Sequence, residues 1–251
     1  MNKLWKWSVI IGGVFGILSL AIMFTYSAKK SVVITEQHDL RGEGNLEPLL
    51  KKIQKQKENY DFIVIVNSAH GGKNRGNVVN ELQEKKITLA VGEYLEDMSK
   101  RNDIGIFTVR QTDIDISNES RAQLIQQVEP DLVIDLHVDA DPSNERTFGT
   151  SVRYNPSFYM EKMTNARLAD ILERNVVMEI SGKANGIFKD VEGKYPLLSM
   201  IQVPAVSVEM GYLTNSKEAG LLKQENYQKK IAAGIYKGIE AARTEIQEKE
   251  K

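Results

Sequence analysis

Three histidines and no cysteine limit the chemistry open to this chain of 251 residues. Without thiols there is no disulfide framework, no cysteine-held zinc or iron–sulfur cluster, and no thiol nucleophile. Any metal must rest on His, Asp or Glu. His70 and His137 each stand just past an apolar run, Asp61-Phe-Ile-Val-Ile-Val66 and Asp131-Leu-Val-Ile-Asp-Leu136. Glu209 follows a third run, Ala205-Val-Ser-Val208, and Glu84 lies near the start of the helix expected after His70. Two His and one Glu with an open fourth position form a catalytic zinc arrangement, whereas structural sites are usually closed. Such a metal acidifies a bound water and polarises a carbonyl. A second carboxylate close by, off the metal, could carry the water's proton to a leaving amine. Gly71-Gly72 would let the chain bend tightly after His70 and leave room at the metal. His38 has no ligand-type neighbours and reads as a solvated linker residue.

These residues can meet only if the elements bring them to one edge. Short apolar runs bounded by polar residues predict buried strands at 61–66, 104–109, 131–136, 149–154 and 205–208. Helical spacing predicts helices at 81–101, 117–128, 164–180 and 227–246, with Ser117 capping the second and Glu129-Pro130 ending it. Strands alternating with helices define an α/β fold: a three-layer domain with a mostly parallel (mixed) sheet flanked by helices. Sites in such sheets form beyond the carboxyl ends of the strands, where His70, His137 and Glu209 fall.

Composition supports one globular domain with appendages, at 41% hydrophobic and 27% charged residues. A net charge of −1 argues against nucleic acid as a partner. Residues 1–30 hold Lys3, Lys6, Lys29 and Lys30 and no acid, and Trp7 to Tyr26 is uncharged. That segment is long enough to span a bilayer and reads as a transmembrane signal anchor, with a cleaved signal peptide as the alternative. The expected order is a cytoplasmic tip and anchor at 1–30, a polar stalk at 31–59 with a short helix near 46–57, a catalytic domain at 60–246 and a frayed tail at 247–251. The expected location is the cell membrane, single-pass, with the domain outside the cytoplasm, or secreted if the segment is cleaved.

The ordered motifs resemble those of the zinc-dependent N-acetylmuramoyl-L-alanine amidases, the amidase type 3 family. Ile63 to Gly72 is similar to the family's opening segment, Glu84-Lys85 to its Glu-Lys pair, and Val109-Arg110 through Arg121 to its Thr-Arg-x-x-Asp region. Leu136-His137-Val-Asp-Ala140 is similar to its Ser-x-His-x-Asn segment, and Pro204 to Asn215 resembles the stretch bearing its catalytic glutamate. The resemblance covers nearly all of residues 61–243. It implies His70, Glu84 and His137 as Zn2+ ligands and Glu209 as the catalytic base. It implies peptidoglycan as substrate, cut at the amide between N-acetylmuramic acid and L-alanine of the stem peptide.

Three departures stand out. Asn67-Ser68-Ala69 replaces the family's Asp-Pro-Gly, Asp135 its Ser, and Asp139 its Asn. Two added carboxylates would disfavour an anionic substrate if both faced the site, and could raise the pKa of Glu209. They suggest altered specificity or regulation. No extra helix over the zinc and no wall-binding repeat is apparent, although Met160 to Asn165 could be displaced into the site. The other readings are a non-catalytic wall-binding scaffold on the same fold, or a related zinc peptidase. A protein activator is left open.

Overall fold

The computed structural model of the chain describes residues 44–99 and 103–249. The anchor expected at 7–26, and most of the stalk, lie outside the described residues. Among the described residues no helix is long and apolar enough to cross a membrane.

Six strands form the main sheet: β1 (Phe62–Ser68), β4 (Ile104–Thr108), β5 (Leu132–Asp139), β6 (Thr150–Tyr154), β7 (Ala184–Lys189) and β8 (Ala205–Tyr212). Their spatial order is β4-β1-β5-β8-β6-β7. The first four are parallel, β6 runs antiparallel to β8, and β7 runs parallel to β6. A small hairpin, β2 (Val78–Val79) with β3 (Leu82–Gln83), stands apart from this sheet. The helices are α1 (Glu47–Gln56), α2 (Glu84–Ser99), α3 (Asn118–Val128), α4 (Asn165–Ile180), α5 (Pro196–Met200), α6 (Ser216–Leu222) and α7 (Glu225–Glu248). The expected mixed sheet between helical layers is therefore present.

Strand alternation divides the core in two. Phe62, Val64, Val66, Ile134 and Val206 pack with α2, α4 and α7 residues such as Val91, Leu172 and Ile235. Ile63, Ile65, Val133 and Ala205 pack on the opposite face with Leu50, Ile125 and Leu197 of α1, α3 and α5. Each such side chain contributes roughly 1.5–3 kcal/mol when fully buried. On that second face the columns turn polar toward the strand ends: Ile63, Ile65, then Asn67; Val133, then Asp135 and His137; Ala205, then Ser207 and Glu209. Register pairs Asn67 with Asp135, Asp135 with Ser207 and His137 with Glu209. One apolar face thus ends in a polar shelf at the carboxyl edge.

The elements begin and end where the sequence indicates. Ser117 Oγ accepts the Ser120 N–H at 3.1 Å and caps α3, and Glu129 ends it in a left-handed conformation. Thr164 caps α4 likewise, accepting from Arg167 N–H at 3.1 Å. One boundary moves. Leu50 and Ile53 of α1 are buried in the core and Gly44 N–H donates to Asp115 O, so residues 44–59 pack on the domain and are not stalk. The amphipathic spacing of α1 was visible, but its basic outer face disguised the buried one.

Candidate active site

His70 leaves β1 in the left-handed region, with φ 63°. A non-glycine residue needs outside support to stay there. Arg121 supplies it. Fully buried, its guanidinium donates to His70 O at 2.7 Å, Ser68 O at 3.1 Å and Ile116 O at 3.0 Å, and also to Asn67 Oδ1. Burial draws its pKa down to about 10, which leaves it charged at neutral pH. Arg110 holds the other side of the turn, donating to Ala69 O at 3.1 Å and Lys85 O at 2.7 Å. Gly71, with φ 127°, completes the bend, and a Cβ there would lie 2.2 Å from Ile114 O.

The β2–β3 hairpin delivers Glu84 as the first residue of α2. Its Oε1 lies 3.0 Å from His70 Nε2 and 2.9 Å from His137 Nδ1. One atom from each of the three residues falls within 4.8 Å of the others, a set that could hold a metal ion. Glu84 Oε2 accepts the Asn77 N–H at 2.8 Å. Burial would raise the Glu84 pKa, but hydrogen bonds from His137 and His70 outweigh it and hold the carboxylate well below its usual range. Lys85, next in sequence, bonds Gly72 O at 2.7 Å and Asp113 Oδ2 at 2.6 Å, tying the loop to the helix.

The remaining ring nitrogens are also engaged. His70 Nδ1 meets Asn74 Oδ1 at 3.0 Å, and His137 Nε2 meets Asp135 Oδ2 at 3.1 Å. Partners of this kind fix ring orientation and tautomer in metal-binding histidines. Asp135 in turn accepts from Asn67 Nδ2 and Ser207 Oγ, both at 2.7 Å. Burial disfavours charge on His137, but the Asp135 and Glu84 carboxylates prevail and raise it well above its ordinary value.

Glu209 is buried beside this group, on the strand paired with β5. Tyr195 donates its hydroxyl to Glu209 Oε1, while Oε2 is buried with no hydrogen-bond partner. The Tyr195 ring packs edge-on against His137 at 5.1 Å between centroids. Burial, with Asp139 adding to it, pushes the Glu209 pKa up to about 7 against the pull of His137, Tyr195 and Lys194. A carboxyl poised near neutrality both accepts and releases a proton.

All four residues expected at the site therefore converge, and the residues around them revise three expectations. Asp135 and Asp139 do not offer two open negative charges. Asp135 is enclosed by its three partners, and Asp139 is held by Lys194 at 3.1 Å. Room beside the donor set comes from Gly76 rather than Gly71-Gly72: a Cβ on Gly76 would lie 2.5 Å from both Glu84 Oε2 and His70 Cδ2. Met160 to Asn165 does not enter the site. Met163 is buried in the core, and Asn165 Oδ1 accepts the Ala205 N–H at 2.9 Å. Sequence reasoning missed Asn74, Asn77 and Tyr195, which carry no distinctive spacing.

Gly76→Ala is expected to fold and to lose divalent-metal affinity by roughly 10–100-fold, the scale seen when the support of metal ligands is disturbed. Chelator competition measures it, and an unchanged affinity would show that Gly76 does not set the space.

A mixed α/β sheet with two histidines and two glutamates gathered at its carboxyl edge, three of which could hold a metal ion, has the form of a hydrolase. The N-acetylmuramoyl-L-alanine amidase family model matches residues 64–241, and the chain belongs to that family. It is 31% identical over 191 residues to the germination-specific N-acetylmuramoyl-L-alanine amidase of Bacillus subtilis, covering 70% of this chain and 78% of that one. Among solved structures, an N-acetylmuramoyl-L-alanine amidase from Clostridium difficile superposes with TM-score 0.68 at 24% identity, covering 74% of this chain and 98% of that one. The CwlD amidase of Clostridioides difficile, solved in complex with the GerS lipoprotein, gives TM-score 0.67 at 21% identity, covering 73% and 99%. These two likenesses support the fold.

Proposed function

We propose that the chain is a zinc-dependent N-acetylmuramoyl-L-alanine amidase acting outside the cytoplasm on peptidoglycan, anchored by residues 7–26. The observation that carries the reading is the three-residue donor set, His70, Glu84 and His137, with the unpartnered buried oxygen of Glu209 beside it. The donor set fits zinc: two imidazoles and a carboxylate, both histidines backed by acceptors. When bound, zinc would supply Lewis acidity, making water a nucleophile near neutral pH and polarising the substrate carbonyl.

The chain's own residues do the rest. Tyr195 fixes one oxygen of Glu209 and leaves the other for proton transfer. Glu209 takes a proton from the attacking water as the new C–O bond forms. It then gives that proton to the L-alanine nitrogen as the C–N bond breaks, releasing the peptide amine and the lactyl carboxylate. Asp135 and Asn74 hold the imidazoles in the orientation that leaves His137 Nδ1 and His70 Nε2 facing Glu84.

The test is the purified full chain with and without zinc, incubated with peptidoglycan. New L-alanine amino termini should appear only with zinc. No release from a chain shown to hold zinc, with or without a GerS-like protein partner added, would overturn the reading.

A further inference from the structure

Arg153 is the half-buried cation that the reaction above leaves unused. It stands on β6, in register with Ser207 of β8 on one side and Phe188 of β7 on the other. Its guanidinium carbon lies 5.0 Å from the centroid of the Phe188 ring and 5.9 Å from that of Tyr195. Its Nε is buried without a hydrogen-bond partner, and among the described residues no carboxylate or carbonyl pairs with the guanidinium. The other cations nearby are committed. Lys194 is held by Asp139, and the buried Arg110 and Arg121 spend their donors on the turn around His70. A buried donor left unpaired is costly, and a guanidinium is a planar fork suited to a carboxylate.

Position connects this fork to the chemistry. The same Tyr195 ring that lies near Arg153 packs on His137 and carries the hydroxyl bonded to Glu209. The two rings flank the guanidinium and reduce its contact with water, which strengthens an ion pair formed there. Resting on the amidase reading, the substrate limits the choice of anion. In the uncleaved substrate the lactyl carboxyl is tied up in the amide, so the amino-sugar side has no free carboxylate. The stem peptide does, at its second residue and again at its third.

We propose that Arg153 is a specificity residue, forming a subsite beside the reaction centre that receives a free carboxylate of the stem peptide. It grips the peptide side of the scissile amide and sets which side of the cleft that peptide occupies.

The test compares the full zinc-loaded chain with its Arg153→Ala and Arg153→Lys variants. Paired substrates are N-acetylmuramoyl-L-alanyl-D-isoglutamate and its isoglutamine counterpart, both with the terminal γ-carboxyl amidated, then tripeptides with an amidated C-terminus whose third residue is a diamino dicarboxylic acid with its side-chain carboxylate free or amidated. The unaltered chain should favour a free carboxylate in kcat/KM by about tenfold, the scale of one charge-assisted hydrogen bond in a partly exposed site. Arg153→Ala should lose that preference while keeping its rate on the amidated member, and Arg153→Lys should restore part of it. Preference confined to the dipeptide pair assigns the second residue, and preference confined to the tripeptide pair assigns the third. Equal rates on both members of every pair, or a preference that survives Arg153→Ala, would overturn the subsite. If no substrate is cleaved, the amidase reading fails on its own. Calorimetric binding of L-alanyl-D-isoglutamate and of the free tripeptide, each against its amidated form, then decides the subsite: tighter carboxylate binding that depends on Arg153 supports it, and equal binding overturns it.

Discussion

Glu209→Gln should retain zinc at the level of the unaltered chain and lose turnover by roughly 10²–10⁴-fold, the usual contribution of a positioned acid–base group. Glutamine keeps the length and shape of the side chain, and its amide oxygen can still accept the Tyr195 hydroxyl. What it lacks is a second oxygen able to take up a proton. Oε2 is the atom concerned, buried and without a partner in the folded chain. Because Glu209 lies outside the three-residue donor set, metal content and activity should separate. The paired measurement is metal content by atomic emission and release of L-alanine amino termini from peptidoglycan. Turnover within a few-fold of the unaltered chain would remove Glu209 from the reaction. Loss of metal together with turnover would make it a ligand instead.

The second large effect is expected at a residue that holds the turn around His70. Arg121→Met deletes the side-chain donor to His70 O, Ile116 O and Asn67 Oδ1, and one of two to Ser68 O, while keeping an apolar side chain of similar reach. Each buried acceptor left without a donor costs roughly 1–3 kcal/mol. The total is several kcal/mol, and a loss near 3 kcal/mol lowers Tm by about 10 °C in a domain of this size. The left-handed backbone at His70 also loses its support, so metal affinity should fall with stability. Thermal melts at fixed zinc and chelator competition test both. An unchanged Tm would mean that water replaces the guanidinium without penalty.

Sequence made the site more legible than its supports. His70, His137 and Glu209 each follow a strongly apolar run in the sequence, and that position marks a residue toward the carboxyl edge of a parallel sheet. Glu84 was harder to find, since it begins a helix in a Lys/Glu-rich stretch and is placed by a hairpin of four paired residues that composition does not signal. Strand β7 was not foreseen because Ala184–Lys189 is an edge strand with mostly exposed side chains, so it carries no apolar run. The short helices α5 and α6 lack enough turns for a periodic stripe. Asn67 and Asp135 show a different limit. Singly, each departs from the family pattern. In the fold they occupy facing register positions and are hydrogen-bonded at 2.7 Å. Only pairing reveals that Asn67 and Asp135 bond each other and that Asp135 is the acceptor facing His137.

The parallel order of β4, β1, β5 and β8 also governs how the site comes into being. His137 and Glu84 are 53 residues apart in the chain, and Asp135 and Ser207 are 72 apart. Contacts of such sequence separation require long loops to close before they return any energy, which slows folding. No local segment contains two of the three donors in their final geometry, since even His70 and Glu84 are brought together through the hairpin between them. The donor set is thus a product of tertiary pairing, not of any one segment. The donor set needs β1 paired with β5 and α2 in place, and Glu209 joins it only when β8 pairs with β5.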